Sequence, residues 1–383
     1  MSKITRYKVR VPPAVLADLK RRLAKTRWPD EIQGAGWDYG ANLAYLKKLC
    51  AYWQRSFDWR KQERLLNSFP QFKAKVDGIG IHFVHVRGKG PKPFPLILTH
   101  GWPGSFFEFY KAIPLLTDPG AYGGNPSDSF DVVVPSLPGY GFSDRPRERG
   151  IHLGRVGDLF AKLMTDVLGY QRYGAQGGDW GAGVTTRLGL SDARHVAGIH
   201  LNMVLGRAAA TFTGPPSPEV ETWRKEYEQW RAEEAAYSQI QGTKPQTLAY
   251  GLNDSPAGLA AWIVEKFRRW SDCNGDVESA FTRDELLTNI TIYWVTQTIN
   301  SSVRFYYENS HGAPIITPGQ RVEVPTGVAV FPKEIIKPPR SIAERGYNIT
   351  RWTQMPRGGH FAAMEQPELL VQDVREFFRE FRM

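Results

Sequence analysis

Cysteine is almost missing from this 383-residue chain, which carries only Cys50 and Cys273. Two cysteines build neither a disulfide framework nor a thiolate metal site, and they point to a reducing, cytoplasmic compartment. Long apolar runs are missing too. No stretch approaches the roughly 20 residues needed to cross a bilayer, so no membrane anchor is expected. The segment Met1 to Lys8 has no apolar signal core. There is no internal repeat and no low-complexity tract, which excludes solenoids and long disordered linkers. No nucleic-acid-binding motif occurs. The formal charge is +10, but the Lys and Arg residues are dispersed. The excess reads as a solvated basic surface, with no nucleic-acid partner expected.

What is present is a globular composition. Hydrophobic residues make up 42%, enough for a buried core, and the length suits one large domain with an insertion or extension. Aromatic residues reach 13%, with 12 Trp among them, an excess that suits the lining of an apolar pocket.

Residues 1–93 read as an N-terminal extension. Pro12-Pro13 opens a helix with Val15, Leu16, Leu19 and Leu23 at helical spacing. A second helix is predicted over Tyr45 to Trp53. Residues 72–86 alternate about Asp77-Gly78, as a hairpin does. Pro91, Pro93 and Pro95 mark a junction.

From residue 94 to 205 short apolar runs alternate with helical stretches. Leu96 to Thr99, Phe130 to Val134, the segment before Asp179 and Val196 to Met203 are the predicted strands. Such alternation implies an α/β fold with a mostly parallel sheet covered on both faces, with the site at the strands' carboxyl ends. Residues 206–300, rich in Trp, Tyr and Pro, read as an inserted helical lid. The sheet resumes within 301–383, at Gly327 to Phe331 and Ile349 to Gln354, before a last helix carrying Leu370, Val374 and Phe377 on one face.

The most informative segment is Gly177-Gly178-Asp179-Trp180-Gly181. Its glycines sit where the Gly-x-Ser-x-Gly nucleophile elbow needs them, but a carboxylate stands in place of the serine. A carboxylate is ionised at pH 7 and attacks without a base. Its chemistry still needs a base for water, an acid for the leaving group, and donors for a developing oxyanion. In the order nucleophile, acid, histidine, the base is His360, after the last strand, and the orienting acid is Glu334, after the penultimate one. The donors are the amides of Trp180, after the nucleophile, and of Trp102 in His100-Gly101-Trp102-Pro103, after the first core strand. For the leaving-group acid the candidates are phenols, and position alone leaves Tyr237, Tyr250, Tyr293, Tyr306 and Tyr307 open.

The whole chain resembles the microsomal-type epoxide hydrolases of the α/β-hydrolase fold, N-terminal extension included. The resemblance is carried by His100-Gly101-Trp102-Pro103-Gly104-Ser105, Gly177-Gly178-Asp179-Trp180-Gly181 and Leu286-Leu287-Thr288-Asn289. It continues through Arg304-Phe305-Tyr306, Phe331-Pro332-Lys333-Glu334 and Arg357-Gly358-Gly359-His360-Phe361. It implies Asp179 as nucleophile, His360 as base, Glu334 as its partner, and Tyr237 and Tyr306 as the pair that binds the epoxide oxygen. It also implies an apolar epoxide as substrate, a homodimer, and the anchorless form of the soluble bacterial and fungal members. No metal or organic cofactor is expected. Two alternatives accompany this reading. A haloalkane dehalogenase also uses Asp followed by Trp in this fold, but needs a halide cradle in place of the phenol pair. A ligand-binding scaffold without catalysis would tend to lose one of Asp179, Glu334 and His360.

Overall fold

The computed structural model describes residues 3–204, 216–317 and 319–382. Nine strands form one sheet among them: β1 (Thr5–Tyr7), β2 (Gln71–Val76), β3 (Ile79–Val86), β4 (Phe94–Thr99), β5 (Phe130–Pro135), β6 (Tyr173–Gly177), β7 (Val196–Leu201), β8 (Val322–Val330) and β9 (Tyr347–Gln354). Their order is β1-β2-β3-β5-β4-β6-β7-β8-β9. From β5 to β9 every neighbouring pair is parallel. The central strands are buried over nearly their whole length, as continuous apolar runs require. Helices Leu153–Lys162, Asp179–Ser191 and Pro367–Phe378 belong to the layers that cover the sheet.

The hairpin at 72–86 forms as its sequence predicts. Asp77 and Gly78 both have positive φ, 45° and 87°, the two-residue turn that matches strand twist. The hairpin is not confined to an appendage, however. β3 pairs antiparallel with β5, so the extension supplies three strands to the core sheet, and residue 93 is not an edge of it. Pairing with β5 satisfies backbone groups that an isolated hairpin would leave to water.

The two helices of the extension, Pro13–Ala24 and Leu43–Arg55, pack on the lid helix Pro256–Trp270. Trp53 Nε1 donates to Thr291 Oγ1 at 3.0 Å, and the Tyr52 hydroxyl donates to Asp284 at 2.9 Å. Residues 206–215, expected in the lid, lie outside the described residues. From Pro218 the lid is helical and continues to Ser310, past the expected boundary at 300. Its last helix, Ile299–Ser310, carries Tyr306.

Candidate active site

The sheet's connectivity brings two loops together. β4 and β6 are neighbours, with Thr99 in register with Gly177. The segment His100-Gly101-Trp102 therefore leaves the sheet beside Gly178-Asp179. Here the chain reverses direction on either side of β4, which opens a crevice at the strands' carboxyl ends.

Asp179 sits at a sharp turn between β6 and the helix it begins, with φ at +49°. A non-glycine residue in this left-handed region costs about 1–3 kcal/mol and is held by its surroundings. The surroundings are close. A Cβ at Gly181 would lie 1.9 Å from the Thr99 carbonyl oxygen, one at Gly177 2.3 Å from that of Gly181, and one at Gly101 2.1 Å from Asp179 Oδ1. Without side chains at these positions the backbones close up, and the Trp102 amide donates to Asp179 Oδ1 at 2.8 Å. Trp180 follows as the second residue of the helix.

His360 reaches Asp179 from the other side. Its Nε2 lies 3.4 Å from Asp179 Oδ2, and its Nδ1 donates to Glu334 Oε1 at 2.7 Å. Glu334 Oε1 also accepts from the Ile335 amide at 2.6 Å, which fixes the carboxylate. Gly358 takes φ +103°, and a Cβ at Gly359 would come 2.5 Å from the Trp270 carbonyl oxygen. These glycines let the loop lie against the end of lid helix Pro256–Trp270, where the His360 amide donates to that carbonyl at 2.9 Å.

His360 and Glu334 are almost wholly buried, whereas Asp179 opens onto a cavity of about 310 Å³. Burial lowers the His360 pKa, but the Glu334 charge and the hydrogen bond that Nε2 donates to Asp179 outweigh it and hold the imidazole well above its ordinary value. Two further acids near it rise, chiefly by burial, Glu108 to about 8 and Glu365 to about 7. At neutral pH Glu108 is mostly protonated, whereas Glu365 keeps part of its negative charge beside the imidazole.

The five phenols separate. Tyr250 is 74% exposed. The Tyr293 hydroxyl donates to the Gly104 carbonyl at 2.6 Å, and the Tyr307 ring stacks on His311. Tyr237 and Tyr306 line the Asp179 cavity, their rings 5.9 Å apart and nearly perpendicular, with their hydroxyls interacting. Burial, with the Asp179 charge adding to it, raises both phenols well above the ordinary value, so both stay protonated at neutral pH. The Trp102 ring stacks on Tyr237 and meets Tyr306 edge-on. Leu153, Met203, Tyr227, Trp230, Ile335 and Ile336 supply the apolar wall. A larger open cleft of about 1370 Å³, lined in part by Arg145, Arg147, Arg149 and Arg304, contains none of these groups.

The part played by Trp270 escapes the reading of the sequence, and so does the role of His100, which enters there only as a strand-end residue of a motif. Trp270 anchors the His360 backbone through its carbonyl, a contact with no residue signature. His100 is a buried strut. Its Nε2 accepts from the Leu137 amide at 3.2 Å, so Nδ1 carries the hydrogen and donates to the Gly101 carbonyl at 3.0 Å. Burial lowers it to about 4, and it stays neutral. Its place after a strand was the available signal.

Known proteins resemble this chain in sequence and in fold. Residues 4–109 match the family described as epoxide hydrolase N terminus, and residues 95–233 match the alpha/beta hydrolase fold. The chain is 41% identical to epoxide hydrolase 1 of Oryctolagus cuniculus over 97% of its own length and 88% of that protein's. The juvenile hormone epoxide hydrolase structure from Bombyx mori superposes with a TM-score of 0.89 at 32% identity, covering 100% of this chain and 95% of that one. The epoxide hydrolase structure from Aspergillus niger gives 0.86 at 29% identity, covering 99% and 96%. No helix among the described residues is long and apolar enough to cross a membrane. With identity and fold shared over nearly the full length, the chain belongs to the epoxide hydrolase family of the α/β-hydrolase fold.

Proposed function

We propose that this enzyme hydrolyses apolar epoxides to vicinal diols through an alkyl ester of Asp179. The observation that carries the reading is the meeting in one cavity of an ionisable carboxylate on a strained elbow, a Glu-paired histidine behind it, and two protonated phenols beside it.

In the first half-reaction an Asp179 oxygen attacks one epoxide carbon. The C–O bond breaks, its electron pair goes to the ring oxygen, and a proton from Tyr237 or Tyr306 follows. In the second, His360 takes a proton from water and the resulting hydroxide adds to the ester carbonyl. The amides of Trp102 and Trp180 hold the oxyanion. Collapse expels the diol oxygen, which takes the proton from His360. The carboxylic acid proton of Asp179 then passes to His360 and restores the imidazolium of the free enzyme.

Charge makes the two steps sequential. In the free enzyme His360 faces Asp179 and Glu334 and holds its proton. Esterification neutralises Asp179 and removes one of the charges that raise the imidazole. The histidine then gives up its proton, which restores the phenol left deprotonated by ring opening, and becomes a base once there is an ester to hydrolyse. An apolar substrate fits the walls, because each buried methylene adds about 0.8 kcal/mol to binding.

A single turnover with excess enzyme in oxygen-18 water tests the route. The ester route expects unlabelled diol and label in the peptide bearing Asp179. Labelled diol with an unlabelled Asp179 peptide would mean direct attack by water and would overturn the covalent mechanism.

A further inference from the structure

The Tyr237 ring is enclosed by more than aromatic neighbours. Trp102 stacks on it at 5.4 Å and 10°, Trp270 tilts against it at 5.1 Å, and the Lys266 ammonium lies 4.9 Å from its centroid, over the ring. Lys266 and Trp270 are four residues apart on the lid helix Pro256–Trp270, so their side chains share a face. Lys266 Nζ also lies 5.9 Å from the Trp270 ring.

Lysine is almost never buried unless paired, yet Lys266 is only 7% exposed. Its Nζ is 2.5 Å from Glu265 Oε2, and Glu265 is the more exposed partner. The ion pair fixes the ammonium at the ring instead of releasing it to solvent.

This placement matters when the phenol gives up its proton. As the epoxide C–O bond breaks and the proton moves to the ring oxygen, negative charge develops on the Tyr237 oxygen and spreads into its π-system. A cation over the face attracts an electron-rich phenolate ring more strongly than a neutral phenol ring. The attraction therefore grows towards the transition state, the condition for an interaction to raise a rate.

We propose that Lys266 is a positioning residue that acts through the Tyr237 ring to strengthen that phenol as the proton donor to the epoxide oxygen. The inference rests on the reading of Tyr237 as a donor, and it concerns ester formation only.

The test is a double-mutant cycle on single-turnover alkylation by styrene oxide. Lys266→Met removes the charge and keeps the stem. Lys266→Gln serves the same purpose if the methionine variant does not fold. Loss of the cation is expected to slow alkylation about 3- to 30-fold, the span of cation–π attraction from exposed to desolvated sites. Ester hydrolysis should stay unchanged, and Lys266→Arg should restore most of the alkylation rate. In a Tyr237→Phe background the same substitution should change alkylation by less than about 2-fold. Equal slowing in both backgrounds, or slowing in neither, overturns the inference. Equal slowing of alkylation and ester hydrolysis marks a structural role and overturns it as well. If Tyr237→Phe alone leaves alkylation at the wild-type rate, the donor reading of Tyr237 is what fails.

Discussion

Replacing His360 with glutamine separates the two half-reactions, and the structure gives the sign of each effect. In the proposed mechanism the base that activates water is lost, and general-base help is worth about 10²- to 10⁴-fold, or roughly 3–5 kcal/mol of barrier. Alkylation needs no base. Asp179 keeps its Trp102 amide at 2.8 Å. What it loses is a cation 3.4 Å from Oδ2 that stabilises the carboxylate before attack and has less to act on once the charge has moved to the epoxide oxygen. Removing it does not slow attack on that account, so alkylation should stay within about 10-fold of wild type. Glutamine is chosen over alanine because its amide can donate to Glu334 Oε1, as Nδ1 does at 2.7 Å. An unpartnered buried carboxylate would otherwise cost about 1–3 kcal/mol or more. The assay is intact-protein mass spectrometry after mixing with styrene oxide, beside far-ultraviolet circular dichroism to verify folding. One substrate mass should accumulate on the protein and map to the Asp179 peptide. A folded variant that forms no adduct would refute the covalent route, and one that turns over within about 10-fold of wild type would refute His360 as the base.

Two further outcomes follow from the same geometry. Tyr306→Phe should slow alkylation by roughly 10- to 1000-fold, because Tyr237 still shares the oxygen, and adding Tyr237→Phe should nearly abolish it; wild-type single-turnover alkylation in the double variant would remove both residues from the mechanism. Because the folded His360 pKa lies above the unfolded value of about 6.5, its stabilising contribution is fully present below that value and is lost as pH rises through the folded pKa. Urea unfolding of wild type and His360→Gln should therefore show a stability gap that is larger at about pH 6 than at about pH 9, and a gap that widens with pH would contradict the charge assignment.

The elbow is legible in the sequence because its demands are local. A left-handed Asp179, with neighbouring backbone so near Gly177 and Gly181 that a Cβ there would come within 3 Å of it, can be met only by small neighbours, so the requirement is written into the residues themselves. The parallel sheet is legible for a similar reason, since strands buried on both faces must be continuous apolar runs. The strand-end positions of Glu334 and His360 follow from that reading. Tyr237 and Tyr306 are different: five phenols have equal local claims, and only the packing of the lid on Trp102 separates them. The strand order that carries the hairpin into the core sheet depends on β3 meeting β5, a pairing with no mark in either segment alone. Nor does any sequence pattern turn Lys266 inward. On an amphipathic helix a lysine reads as solvated, and it becomes a buried cation over an aromatic ring only when tertiary structure brings Tyr237 beneath it. What one residue needs from its own backbone can be read along the chain, but what it receives from a distant element exists only after the fold has formed.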